Sequence, residues 1–341
     1  MIEWSALRGL ACASIFACAQ PVSAQTPSIA ENFYSGKAVR VIVPTGVGGS
    51  VALYGRLFSD HFPRHIPGLP AAIFTTMPGA GGVTSVEYVT KVAPKDGTVI
   101  AQIMSQTILV PMIRPAGFEP AKLKWLGSLA SRPGVVAVWS SSKVKNLADA
   151  KMIEATLAAS GIGAGNYQIP AMANMLIGTK FKLVTGYKSA GEMNMALERN
   201  EVDGRFNYWS GWTSVRPDWI RDGKLTFLFR TGPKAPGMPD VPSLIDLVKS
   251  DDDRLAVKLL EGPDQIGVAF YVAAEVPEER VALLRKAFIE MLDDKVFQAA
   301  AAKMDLPIDP VSFEKIGTTI QEIYATPISV RERLKPLLVL E

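Results

Sequence analysis

Two glycine loops hold the residues whose types and spacing point most directly to chemistry. Gly46-Val47-Gly48-Gly49-Ser50 follows the β-branched run Val39-Arg40-Val41-Ile42-Val43, and Gly79-Ala80-Gly81-Gly82 follows Ala72-Ile73-Phe74-Thr75-Thr76. A helical pattern succeeds each loop, one from Val51 with Leu53, Leu57 and Phe58 on a single face, the other from Val83 to about Val92. The free N–H groups of a helix's first turn point back into the loop before it, and small residues there let an anion approach closely. Two such turns side by side make a cradle for a carboxylate, each charge-assisted hydrogen bond contributing on the order of 1.5–3 kcal/mol. The competing reading is that the glycines only permit tight strand-to-helix turns; that explains one loop better than two.

Other chemistries fit the same residues less well. A dinucleotide fingerprint starting at Gly46 needs a third glycine where Val51 stands, and the second strand carries no acidic residue near its end. No Gly-Lys-Ser/Thr follows either loop, which excludes a P-loop. Gly48-Gly49-Ser50-Val51-Ala52 approaches a nucleophile elbow, but its closing glycine is Ala52. The two histidines, His61 and His65, fall within fifteen positions of Ser50 instead of near the chain end, where an α/β-hydrolase has its base. They are no persuasive metal pair either, with Pro63 between them and no nearby carboxylate that completes a site. Asp251-Asp252-Asp253 lacks the alternate spacing of a calcium loop and suits a helix start. No cofactor and no metal are expected. Tyr208, Trp209, Trp212 and Trp219 follow a strand's end and read equally as core or as lining of a cleft.

These loops need elements to hold them. Pro94-Lys95-Asp96-Gly97 makes a turn into a third strand, Thr98 to Met104, after which Ser105-Gln106-Thr107 forms a third strand-end loop. Strand, helix, strand, helix, strand with short links predicts an α/β, doubly wound sheet that binds ligands at the carboxyl ends of its strands. Trp125 to Ala130 and Val135 to Trp139 read as extended, with a crossing at Ser131-Arg132-Pro133-Gly134. Val144 to Leu157 reads as a broken helix. A Gly161, Gly163, Gly165 loop and a helix from Ile169 begin a second round of α/β units, and Gly267 to Ala273 returns to the first sheet.

Composition bounds the rest. The 341 residues are 48% hydrophobic and 20% charged, enough for two cores, and the net charge of +3 is dispersed, so no nucleic-acid partner is expected. Gly9 to Ala19 is an apolar stretch after Arg8, too short for a membrane span, and Val22 and Ala24 fit a signal-peptidase site, so residues 1–24 are read as a cleaved export signal. Cys12 and Cys18, the only cysteines, lie inside it. The mature chain then has no thiol chemistry, disulfide or Cys-ligated metal.

The paired loops, with Ala93-Pro94-Lys95-Asp96-Gly97-Thr98, Val144 to Asp149, Val184-Thr185-Gly186-Tyr187-Lys188, Glu201-Val202-Asp203-Gly204 and Leu306 to Pro310, resemble the substrate-binding proteins of tripartite tricarboxylate transporters, the Bug receptors. That resemblance implies a two-domain periplasmic-binding-protein clamshell, type 2-like, that closes on a small organic carboxylate and delivers it to large and small integral-membrane transporter subunits. It implies ligand contacts at Thr45, Gly48, Gly49 and Ser50, at Gly79, Ala80, Gly81 and Gly82, and, from the second domain, at Gly163, Tyr187, Lys188 and Asn207. Ser105, Thr107 and Trp209 join the candidates as strand-end residues. Lys188 and Arg205 are the expected cationic partners of a second acidic group, a dicarboxylate or aromatic acid being the ligand type. Ala52 stands where the family has Asp, Ser189 where it has Gly after Tyr-Lys, and Thr76-Met77-Pro78 where it has Asn-Arg-Pro.

The expected organisation is domain I from 28–131 and 231–341 and domain II from 132–230. The expected protein is a periplasmic monomer with no catalytic residue. The alternatives are a carboxylate sensor or scaffold without a permease, and a secreted serine hydrolase working through Ser50.

Overall fold

The computed structural model describes residues 33–335. The export signal expected over 1–24 and its two cysteines lie outside the described residues, as do 28–32 and 336–341 of the expected first domain. Among the described residues no helix is long and apolar enough to cross a membrane.

The chain opens with β1 (Ala38–Val43), α1 (Ser50–His61), β2 (Ala71–Thr76), α2 (Val83–Lys91), β3 (Val99–Gln102) and β4 (Lys124–Ser128). It then builds β5 (Gly134–Trp139), α3 (Leu147–Met152), β6 (Ala155–Ala158), α4 (Gly165–Ile177), β7 (Phe181–Val184), α5 (Ala190–Glu198), β8 (Gly204–Tyr208), α6 (Trp209–Thr213) and β9 (Leu225–Thr231). Helix α7 (Asp251–Ile266), β10 (Ala269–Val272), α8 (Glu278–Asp293), α9 (Lys295–Lys303), α10 (Phe313–Tyr324) and α11 (Ile328–Leu334) follow, with short helical turns between the main elements. Two five-stranded sheets result, ordered β2-β1-β3-β10-β4 and β7-β6-β8-β5-β9. The chain leaves the first sheet between Ser128 and Gly134, and returns to it at β10.

The α/β, two-sheet architecture expected from the strand and helix order is what forms. The sheets are mixed: β1 runs parallel to β2 and β3, but β10 is antiparallel to β3 and β4, and β5 is antiparallel to β8 and β9. The wound βαβ units supply the parallel pairs, because a right-handed helical crossover returns the chain in the same direction. The antiparallel strands are those that lead into or return from the crossings between the two sheets.

The broken helix predicted over Val144 to Leu157 is corrected. Only Leu147–Met152 is helical, with Asn146 Oδ1 accepting the Asp149 N–H at 2.9 Å, and Ala155–Ala158 is a strand. Thr156 and Leu157 pair with Lys182 and Leu183 of β7, so a partner over twenty positions away decides their conformation. The cores follow the strands. Val39, Val41, Ile42 and Val43 are fully buried in the first sheet, and a separate cluster in the second sheet gathers Trp212, Trp219, Leu197 and Met193. Those two tryptophans are core.

Candidate functional site

The loops at the strand ends of the two sheets meet face to face. The Gly46 N–H donates to the Lys188 carbonyl at 2.9 Å, and Thr45 Oγ1 donates to the same oxygen at 3.1 Å. A Cβ on Gly49 would stand 2.5 Å from that of Ala190, so no larger residue lets the first loop reach α5. In the second loop Ala80, Gly81 and Gly82 all take positive φ, of 44°, 65° and 99°, a conformation glycine adopts without a Cβ clash. A Cβ on Gly81 would come within 2.6 Å of the Ala164 nitrogen. Thr107 Oγ1 sits 3.1 Å from the Gly81 carbonyl and 3.3 Å from that of Gly163, a donor to both loops. Ser105 Oγ lies 3.2 Å from Tyr208 Oη, whose hydroxyl also donates to Gln106. The two halves are closed on each other.

What closure leaves between them is a cavity of about 40 Å³. Thr45, Gly49 and Ser50 line it from the first sheet, Asn207 and Tyr208 from the end of β8, and Ser160, Gly165 and Asn166 from the entry to α4. Two guanidinium groups, Arg132 and Arg205, complete it, at 4% and 2% exposure. Arg205 donates to the Ala190 carbonyl and to Asn194 Oδ1, each at 3.0 Å, and Arg132 donates to Ser50 Oγ at 3.0 Å. All of these acceptors are neutral. Arg132 also stacks 3.7 Å over the Tyr208 ring, while its Nε and the Asn207 amide nitrogen are buried without any partner. Burial pulls the Arg205 guanidinium down to about 9, which still leaves it cationic at neutral pH. Burial likewise lowers Arg132.

One acid lies behind this pair. Asp264 of α7 is 4% exposed, accepts from the Gln106 amide and leaves Oδ2 unpartnered; loss of water pushes its carboxyl up to about 7. The Tyr208 hydroxyl, raised chiefly by burial and further by Asp264, is protonated and therefore a donor.

The structure distributes the predicted residues unevenly. Thr45, Gly49, Ser50 and Asn207 line the cavity with Arg205. Ala80, Gly81 and Gly163 form the contact between loops, Gly79 packs on Thr84 and Gly82 on Thr107 and Met104, none of them lines the cavity, and Gly48 packs against Gly191. Ser105 and Thr107 are buried cross-links. Lys188 takes part through its backbone alone: its carbonyl accepts from the first loop, its N–H donates to Glu192 at 2.7 Å, and its side chain is exposed, so the two cations that line the cavity are Arg132 and Arg205. Tyr187 is half-buried against the second core, and Trp209 lines a neighbouring chamber. Arg132 escaped sequence reasoning because Ser-Arg-Pro-Gly signals only a turn between strands; a cation at a crossing was its sole mark.

Ser50 has no base. Its Oγ accepts from Arg132, and both histidines sit at the other end of α1, roughly 16 Å along the axis at 1.5 Å per residue. His65 Nε2 lies there 3.4 Å from Asp294.

No protein-family model matches the chain. A UPF0065 protein of Bordetella bronchiseptica is 24% identical over 229 residues, a match spanning 65% of this chain and 66% of that relative. Among solved structures, the periplasmic binding protein BugD superposes with a TM-score of 0.68 at 19% identity, covering 89% of this chain and 98% of its own. MatC from Rhodopseudomonas palustris, with bound malate, gives 0.67 at 18% identity over 88% and 99%. An R. palustris protein with adipate gives 0.66 at 17% identity over 89% and 97%. The likeness bears out the clamshell fold and agrees with the resemblance carried by the paired loops.

Proposed function

We propose that this chain is an exported, non-enzymatic receptor that closes on a small organic carboxylate between its two sheets and hands it to a two-component membrane permease. The observation that carries the reading is the pair of buried guanidinium groups, each with only neutral hydrogen-bond partners, at one cavity between the closing loops. Removing a charge from water costs several kcal/mol unless an opposite charge arrives. A carboxylate about 4 Å away returns roughly 4 kcal/mol at an effective dielectric constant near 20. The cavity's volume suits one such head group, since a single water needs roughly 10–15 Å³ by the same measure.

In this reading residues 28–131 with 231–341 form one jaw and 132–230 the other, with the crossings as hinge. Thr45, Gly49, Ser50 and Asn207 orient the carboxylate and Arg205 and Arg132 hold its charge. The loop contacts at Gly46 with Lys188 and Gly81 with Ala164 lock the closed form. BugD and the malate- and adipate-bound proteins support a periplasmic receptor for organic acids by likeness of fold. A hydrolase would need a base at Ser50, where Arg132 donates instead.

The test is a thermal-shift screen of ligand-free mature protein against mono-, di- and tricarboxylates, amino acids and neutral amides, with calorimetry on each hit. A ligand at about 100 times its Kd raises stability by roughly 2.7 kcal/mol. One acid class is expected to shift the melting temperature, with affinity falling at least tenfold in Arg205→Met. No shift with any carboxylate overturns the proposal.

A further inference from the structure

Beside the charged cavity lies a second chamber of about 480 Å³, and the two share Arg132. They run alongside each other on the same elements: Ser50 and Tyr54 are one turn apart on α1, and Tyr208 is followed by Trp209 at the start of α6. Both sheets and both crossings build the chamber. Tyr54 and Pro307 come from the first jaw, Trp209 from the second, and Pro133, Pro233 and Pro236 from the crossings.

The walls of this chamber are mainly rings and prolines, and the polar atoms of those rings are already used. Tyr54 Oη donates to the Pro307 carbonyl at 2.7 Å, and Trp209 Nε1 donates to the Pro236 carbonyl at 3.0 Å. Thr213 Oγ1 donates to the Trp209 carbonyl at 3.3 Å, Ser131 Oγ donates to Asp309 at 3.3 Å, and Lys234 pairs with Asp240 at 2.9 Å. Proline contributes no N–H. Arg132 adds a buried Nε without a partner, while Ser210 and the exposed charges of Lys234 and Asp309 also line the chamber. A polar ligand body packed against the tryptophan, tyrosine and proline faces would give up hydration without new hydrogen bonds there, whereas an apolar body gives up nothing. The charged cavity is too small for more than a head group, so the rest of a bound acid has to lie elsewhere.

From this geometry we infer that the chamber takes the apolar body of the acid whose carboxylate is held at Arg132 and Arg205, so the substrate class is a carboxylic acid with an aromatic or medium-length aliphatic body. This rests on the receptor reading and adds the selectivity to it. The volume is roughly three times the ~150 Å³ that accommodates a benzene ring in a protein interior.

The experiment is calorimetry of the mature protein with acetate, butyrate, hexanoate, phenylacetate, succinate and malate, repeated on Ala235→Phe, which narrows the chamber from a half-buried position on its rim. Affinity is expected to rise about fourfold per methylene buried along the aliphatic series. Phenylacetate is expected to exceed acetate by at least 50-fold, and Ala235→Phe to reduce that ratio at least tenfold. Affinity that is flat with chain length, or a preference for malate or succinate that Ala235→Phe leaves unchanged, overturns the chamber while leaving the receptor standing. Binding of none of these acids overturns both.

Discussion

Arg205 brings a cation into a site where its acceptors are the Ala190 carbonyl, the Asn194 amide oxygen and its own strand. The sequence offered it only as an expected cationic partner for a second acidic group; its burial comes from α5 packing over β8. Asp264 is the opposite case, an acid that no spacing or motif marks, made unusual only by what covers it. Gln106 faces it from the loop after β3, Tyr208 from β8, Arg132 from the crossing, and Glu261, itself pushed up to about 7 by burial, from one turn earlier on α7. A carboxyl near 3.9 in the unfolded chain and near 7 in the folded one keeps its proton longer when folded. Between these values the folded state binds more protons, so stability falls as pH rises from about 4 to about 7 and levels off above. Asp264→Asn keeps the acceptor for Gln106 and removes the ionisation. The variant is expected to melt higher than the parent at pH 8 and no higher at pH 4. Melting curves across that range check it, and a constant difference contradicts the assignment.

At the scale of elements, the glycine loops act by letting backbone meet backbone. Gly81 combines a φ of 65° with an approach of 2.6 Å to Ala164, so a methyl group there meets both strain and a clash that only separation of the jaws relieves. Gly81→Ala is expected to cost about 1 kcal/mol of folding stability, the usual penalty for a left-handed alanine. Its larger expected effect is on closure: carboxylate affinity falls at least tenfold, and small-angle scattering with ligand shows no contraction to the closed radius. Contraction equal to the parent's refutes the contact's role. The loops themselves were legible, since a β-branched run, small residues and a helical stripe are local signals. What they touch was not. The error at β6 has the same origin: Ala155 to Ala158 acquire strand geometry from β7 and β8, and four residues of mixed propensity carry no period to announce it.

For the whole molecule, the closed state depends on contacts between segments over a hundred positions apart. The Gly46 amide bonds across to Lys188, and Ser105 reaches Tyr208. With a ligand bound, amide exchange is expected to slow at residues 45–50, 79–82 and 186–191, with Gly46 most affected. The amides of β10, buried in the first sheet, are expected to remain unchanged; uniform slowing, β10 included, would indicate general stabilisation without closure. The sequence alone determined the two rounds of strand and helix, the loops at strand ends and the absence of fitting nucleotide or P-loop motifs. Each of those rests on patterns read within a few turns of chain. Only the tertiary structure decided that the second glycine loop serves as a jaw contact, that Lys188 faces solvent, and that Arg132 joins Arg205 beside a chamber walled by proline and tryptophan. Burial and charge pairing are properties of what surrounds a residue, and here the surroundings come from both sheets and both crossings at once.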